Sequence, residues 1–114
     1  MKLNTASVCI LIAILGALNA CESKKTEAPT LPDEKIARIM ADISVADAAT
    51  NGLAGPEKDS LMQIYFKQVF EMHGTTAEVY EKDLRIIAKD LPRMETIVKR
   101  ADELLTESEK KIIH

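Results

Sequence analysis

Asp42, Asp47 and His73 are the side chains of this sequence best suited to proton transfer or ligation. Two carboxylates facing one substrate are what glycoside hydrolysis requires, and a histidine serves as base or metal ligand near neutral pH. Asp42 and Asp47 stand five residues apart in a helical pattern, which sets them about 140° apart around the axis, so they do not converge. His73 stands before Gly74 in the last turn of a predicted helix, where an imidazole interacts well with the terminal carbonyls. His114 is the only other histidine, and zinc needs three or four ligands. Ser44 and Ser60 have no base and orienting group around them. Residues 52–55 have neither the length nor the Lys-Ser/Thr of a phosphate loop. The expectation is therefore no enzyme, no metal and no cofactor. An enzyme would require Asp42, Asp47 and His73 to meet in one cleft. The structural alternative is a buried polar network among Asp42, Asp47, His73, Tyr65 and Tyr80, with Asp42 accepting a bond from Tyr65, Tyr80 or His73 and so specifying the packing.

The two cysteines point elsewhere. Cys9 lies within an apolar run over residues 6–18, too short for a stable membrane span, preceded by Lys2. Cys21 closes the sequence Leu18-Asn19-Ala20-Cys21. That order of apolar run, small residue and cysteine resembles a bacterial lipoprotein signal, with Asn19 at a position usually held by Ser, Ala or Thr. The resemblance implies removal of residues 1–20, acylation of Cys21 and a partner in the membrane itself. No thiol then remains for a disulfide or a metal site. Glu22-Ser23-Lys24-Lys25 is not an acidic run. Such a run is a resemblance to surface-exported lipoproteins, so its absence favours the periplasmic face of the outer membrane.

Residues 21–30 read as the lipidated cysteine and a short polar tether, residues 31–108 as one small helical domain and residues 109–114 as a tail. All 18 acidic residues and 14 of the 15 basic ones follow position 20, and the signs are mixed. That excludes a nucleic-acid surface. Strand signals are weak.

The helical signals are stronger, and they predict an all-α fold, a compact bundle of about four helices after the signal peptide and tether. Pro32 suits the start of a first helix, whose Ile36, Ile39, Met40, Ile43, Ala46 and Ala49 share a face and which Asn51-Gly52 stops. A second helix starts at Pro56 and carries Leu61, Ile64, Tyr65, Val69 and Met72 on one face, widened by Phe66 and Phe70. It ends at His73-Gly74, with Gly74 as the left-handed cap. Thr75 and Glu78 have the spacing of a capping box for a third, short helix bearing Tyr80, Leu84, Ile87 and Ala88. Pro92 punctuates the next boundary. A fourth helix carries Met94, Ile97, Val98, Ala101, Leu104 and Leu105, and the short third one leaves room for it to cross the second. Its end is obscured by the charged residues 107–111.

Residues 32–105 resemble the bacterial lipoprotein family known as domain of unknown function 4296, mostly short lipoproteins of Bacteroidota. Asp42-Ile43-Ser44-Val45-Ala46-Asp47-Ala48 is similar to a first family motif, with Ser44 where His is common. Tyr65 and Val69-Phe70-Glu71-Met72-His73-Gly74-Thr75-Thr76 are similar to a second, in which Asp83 replaces a usual Ser and Ile86-Ile87 replace two tyrosines. Pro92, Met94 and Ile97 match the last. The resemblance implies location, size and an all-helical domain, and it supplies no activity.

Tyr65, Phe66, Phe70 and Met72 form the richest apolar patch. It is core in the bland reading. In the sharp one it is a groove for a partner protein, a homo-oligomer contact or the wall of a pocket for a small ligand or lipid. The expectation is a lipid-anchored envelope protein acting as a non-enzymatic interaction or accessory module, with small-ligand or lipid binding as the alternative.

Overall fold

The computed structural model describes residues 27–113. The expected signal peptide, Cys21 as the expected lipid-attachment site, the first part of the expected tether and His114 lie outside the described residues. Four helices follow in order: α1 (Asp33–Ala49), α2 (Gly55–Met72), α3 (Ala77–Ile87) and α4 (Leu91–Ile113). The fold is an all-α four-helix bundle.

Helix α1 is its centre. Ile36, Ala37 and Ile39 are fully buried, and α1 is the element packed most extensively against both α2 and α4. Paired residues give the directions. Asp42 meets His73 and Thr50 meets Met62, so α2 runs antiparallel to α1. Asp33 meets Arg93 and Glu34 meets Arg100, so α4 runs parallel to α1. Antiparallel α2 returns the chain toward the start of α1, where Lys35 reaches the His73 carbonyl, and α3 carries it across to the start of α4. The fourth helix therefore lies along α1 rather than crossing the second. Ile36, Ile39, Ile87 and Ile97 fill the core together with Val69, Phe70, Tyr80 and Ala101.

The punctuation differs in detail from the sequence expectation. Pro32 is extended and caps α1 from outside (φ −63°, ψ 150°) rather than occupying its first position. α2 ends in a Schellman motif. Gly74 adopts φ +64°, its N–H donates to the Glu71 carbonyl (3.1 Å) and the Thr75 N–H donates to Phe70 (3.0 Å). Thr75 is thereby committed to closing α2, and the cap of α3 passes to Thr76, whose hydroxyl accepts from the Val79 N–H at 3.3 Å. Glu78 stays in the first turn, favourable toward the helix dipole, with no reciprocal bond to Thr75. At α4 the cap is Asp90, which accepts from the Arg93 N–H at 3.2 Å. Pro92 is the second residue of that helix, where its missing donor costs nothing.

Two further corrections concern faces and ends. Ile64 is 51% and Met72 70% exposed. The inward stripe of α2 centres on buried Val69 and Phe70, with Met62, Phe66 and His73 half-buried beside them, and at 100° per residue Met72 and Ile64 sit roughly 100° and 180° from its centre. Val98 is likewise exposed. The helix α4 continues through residues 109–113, the segment expected as a tail; its last turns carry Lys110 and Lys111, which suit a helix C-terminus.

Charge pairs fasten α1 to α4. Arg93 grips Asp33 through both Nε and an Nη (2.8–3.2 Å), and Arg100 grips Glu34 the same way. The Arg100 hydrogen bond, aided by Arg38, holds the Glu34 carboxyl below the usual carboxylate range. A lowered folded value means stabilisation that is complete above the unfolded value of about 4.3 and fades as the pH falls through the folded one. Glu34→Gln is expected to lower the melting temperature at pH 7 by an amount that shrinks with added salt. The gap to the parent should close on acidification below the unfolded value, as thermal melts at several pH values would show.

Candidate functional site

The principal concavity is a groove of about 550 Å³ between α1, α2 and the start of α3. Phe66 and Phe70, one helical turn apart on α2, form one wall, Tyr80 and Ala77 of α3 the other, and Ile43 of α1 lines it as well. The Phe70 and Tyr80 rings lie 5.6 Å apart at 49°, a tilted contact that adds to their burial. Burial pushes the Tyr80 hydroxyl above the ordinary phenol value, so it stays neutral. Gln63, Lys67, Glu71 and Glu81 stand exposed along the rim. Lys67 and Glu71 are 3.9 Å apart and both solvated, too loosely held to close the mouth. The result is an apolar, aromatic-walled cleft with a mixed polar edge.

The expected patch of Tyr65, Phe66, Phe70 and Met72 is thus divided. Phe66 and Phe70 belong to this groove. Tyr65 and Met72 lie on the other flank of α2, in a shallower depression of about 300 Å³ with Val45, Ala49 and Asp42. Residues one apart on a helix point about 100° from each other, so one flat face never held all four.

The expected polar network is likewise reduced to one pair. His73 Nε2 lies 2.6 Å from Asp42 Oδ2. The Lys35 ammonium donates to the His73 carbonyl at 3.2 Å, satisfying an end carbonyl of α2. The pair ties the end of α2 to the middle of α1. Tyr65 lines the depression that Asp42 borders but makes no hydrogen bond to it. Tyr80 lies across α2 in the main groove. Asp47 is exposed, and its backbone carbonyl takes the Thr50 N–H and hydroxyl at the turn after α1. Asp42, Asp47 and His73 do not converge. Ser108 shares a cleft with Asp42 and His73, yet no hydrogen bond joins it to the pair. Among the described residues no group of three His, Cys, Asp or Glu side chains is placed to hold a metal ion, and no helix is long and apolar enough to cross a membrane.

A different carboxylate turns out to be central. Asp83 of α3 is fully buried. Its Oδ1 accepts from the Thr30 N–H at 2.8 Å and its Oδ2 from the Leu31 N–H at 2.7 Å. The segment 27–32 is thereby latched to α3 as a strap, with a looser ion pair between Glu27 and Lys82 (3.8 Å). In the sequence Asp83 stands out only as the replacement of a usual Ser. The available signal was its register: Asp83 stands three residues after Tyr80 and four before Ile87, on the apolar face of the helix.

The family model described as domain of unknown function (DUF4296) matches residues 28–111, most of the chain and all four helices. The chain belongs to DUF4296. Neither the curated proteins nor the solved structures contain a match to it. The matched span of this DUF4296 domain begins within the strap, so the latch, the groove and the Asp42–His73 pair all fall inside it.

Proposed function

We propose that this DUF4296 domain is a non-enzymatic interaction module of the cell envelope, whose groove receives an apolar segment of a partner protein. The observation that carries the reading is the groove itself: aromatic rings from two helices line a cleft open to solvent. Exposed concave apolar surface on a small domain marks an interaction site. Asp47 stands apart from the Asp42–His73 pair, and the lack of a third converging group favours this over catalysis. The Leu18-Asn19-Ala20-Cys21 sequence, and the likeness to small Bacteroidota lipoproteins, support a lipid anchor on Cys21. The absence of an acidic run after it supports the periplasmic face of the outer membrane.

The test is photocrosslinking in intact cells, with probes at Gln63 and Lys67 on the rim and at Lys99 on α4 as a control, read by mass spectrometry. A discrete protein adduct from the rim probes alone is the expected outcome. Adducts from Lys99 in equal yield, or none from the rim, would count against the groove. The anchor is read separately, by the intact mass of Cys21 peptides and by loss of membrane association in Cys21→Ser.

One observation favours a second reading, a small-ligand or lipid-binding module. The groove volume of about 550 Å³ falls in the range of ligand clefts. Co-purifying lipid detected by native mass spectrometry, displaced by Phe66→Glu, would decide for it.

A further inference from the structure

We propose that Asp83 couples the tether to the groove: seating of the strap on α3 fixes the helix that forms one groove wall. The functional meaning rests on the groove being the interaction site, whereas the coupling itself does not.

α3 is the shortest of the four helices, with 11 residues. A helix of that length has little stability of its own in water, and α3 packs far less extensively on its neighbours than α1 does. Its position depends on a few side chains. Tyr80 and Ile87 are buried in the core, and Asp83 between them is fully enclosed. The two acceptor atoms of Asp83 are both used by strap amides, and Leu31 of the strap packs against the core beside them.

Lifting the strap would take both donors from a carboxylate set on the core side of α3 between Tyr80 and Ile87. A charge held against apolar neighbours with its partners removed is unfavourable, so α3 turns or frays toward fuller hydration of Asp83. Tyr80 is less than one turn away on the same helix and would swing with it. The groove wall therefore has two arrangements, one with the strap seated and Tyr80 in place, the other with the strap off and Asp83 hydrated. Both ends bias the same element, which is the physical requirement for coupling. By linkage, anything in the groove that needs Tyr80 in place also tightens the strap.

The experiment uses the intact chain and two variants. Thr30→Pro removes one donor, leaves Asp83 untouched and falls in a short non-helical segment already holding Pro29 and Pro32. Asp83→Asn keeps one acceptor and turns the other into a donor facing an N–H. Amide hydrogen exchange is followed at Leu31, along α3 and at Ile97 and Ala101, together with the fluorine resonance of 3-fluorotyrosine at Tyr80, assigned with Tyr65→Phe. The expected result in both variants is exchange at Leu31 and along α3 faster by about tenfold or more beyond any change at Ile97 and Ala101, together with a shifted Tyr80 resonance. Three results would overturn the proposal: Leu31 deprotected while α3 and Tyr80 stay as in the parent; Leu31 unchanged in both variants; or all four helices opening together in Thr30→Pro, which would make the strap a global staple. A failed crosslinking experiment bears on what occupies the groove and leaves this readout intact.

Discussion

Ile39→Ala is expected to remove about 2–5 kcal/mol of unfolding free energy, among the largest single losses available in this domain. Ile39 is fully buried on α1, the helix that α2 and α4 both pack against. Truncation forfeits the burial of three carbons and leaves a cavity that α2 and α4, both packed on α1, cannot fully close. A domain of this size has only about 5–10 kcal/mol in hand, so the variant sits close to its unfolding transition at ordinary temperature. Urea unfolding followed by helical circular dichroism should show a large fall in midpoint with an unchanged slope. Ile39→Val, which removes one methyl, is expected to cost about 0.5–1.5 kcal/mol. Near-equal midpoints for the parent and the alanine variant would mean that α1 is not the centre of the core.

Asp83→Ala is the second large effect, about 2–4 kcal/mol from two charge-assisted bonds and the strap they hold. The loss is bounded above because Thr30 is exposed and Leu31 half-buried, so their amides find water once the strap lifts. It is bounded below because Leu31 leaves the core with them. Asp83→Asn should fall between parent and alanine. The same urea titration reads this effect. A midpoint for Asp83→Ala within a few tenths of the parent's would show that the latch contributes nothing net, since replacing a buried carboxylate can be neutral when its partners rehydrate.

Much of the fold is legible in the sequence because its punctuation is local. Gly74 ends α2 through its own backbone freedom, and Pro32, Pro56 and Pro92 each fall within two residues of a helix start. The cap of α3 falls one residue beyond the one its spacing predicts, for a reason that is also local but shared between elements. Tandem threonines offered two caps, and the Schellman closure of α2 takes the amide of Thr75. Direction was not legible. Nothing near α4 states that it runs parallel to α1; that follows from Arg93 and Arg100 meeting Asp33 and Glu34, 60 and 66 positions away. The candidate site shows the same division. Sequence named His73 among three possible partners of Asp42, and tertiary packing chose it. It placed Phe66 and Phe70 correctly beside each other but joined them to Tyr65 and Met72, because spacing along one helix does not say which flank a third helix will cover. The latch was hidden because its donors are backbone amides, which carry no residue-type signal.

The measurement closest to the central claim is capture by the Gln63 rim probe in cells, compared between the parent chain and Phe66→Glu. Phe66 is half-buried in the groove wall, so a carboxylate there can reach water while spoiling the apolar surface. The account predicts a discrete heteromeric adduct in the parent and its loss in Phe66→Glu, with the helical content and melting curve retained. An adduct of equal yield in both chains, or only self-adducts and lipid in the parent, would contradict it.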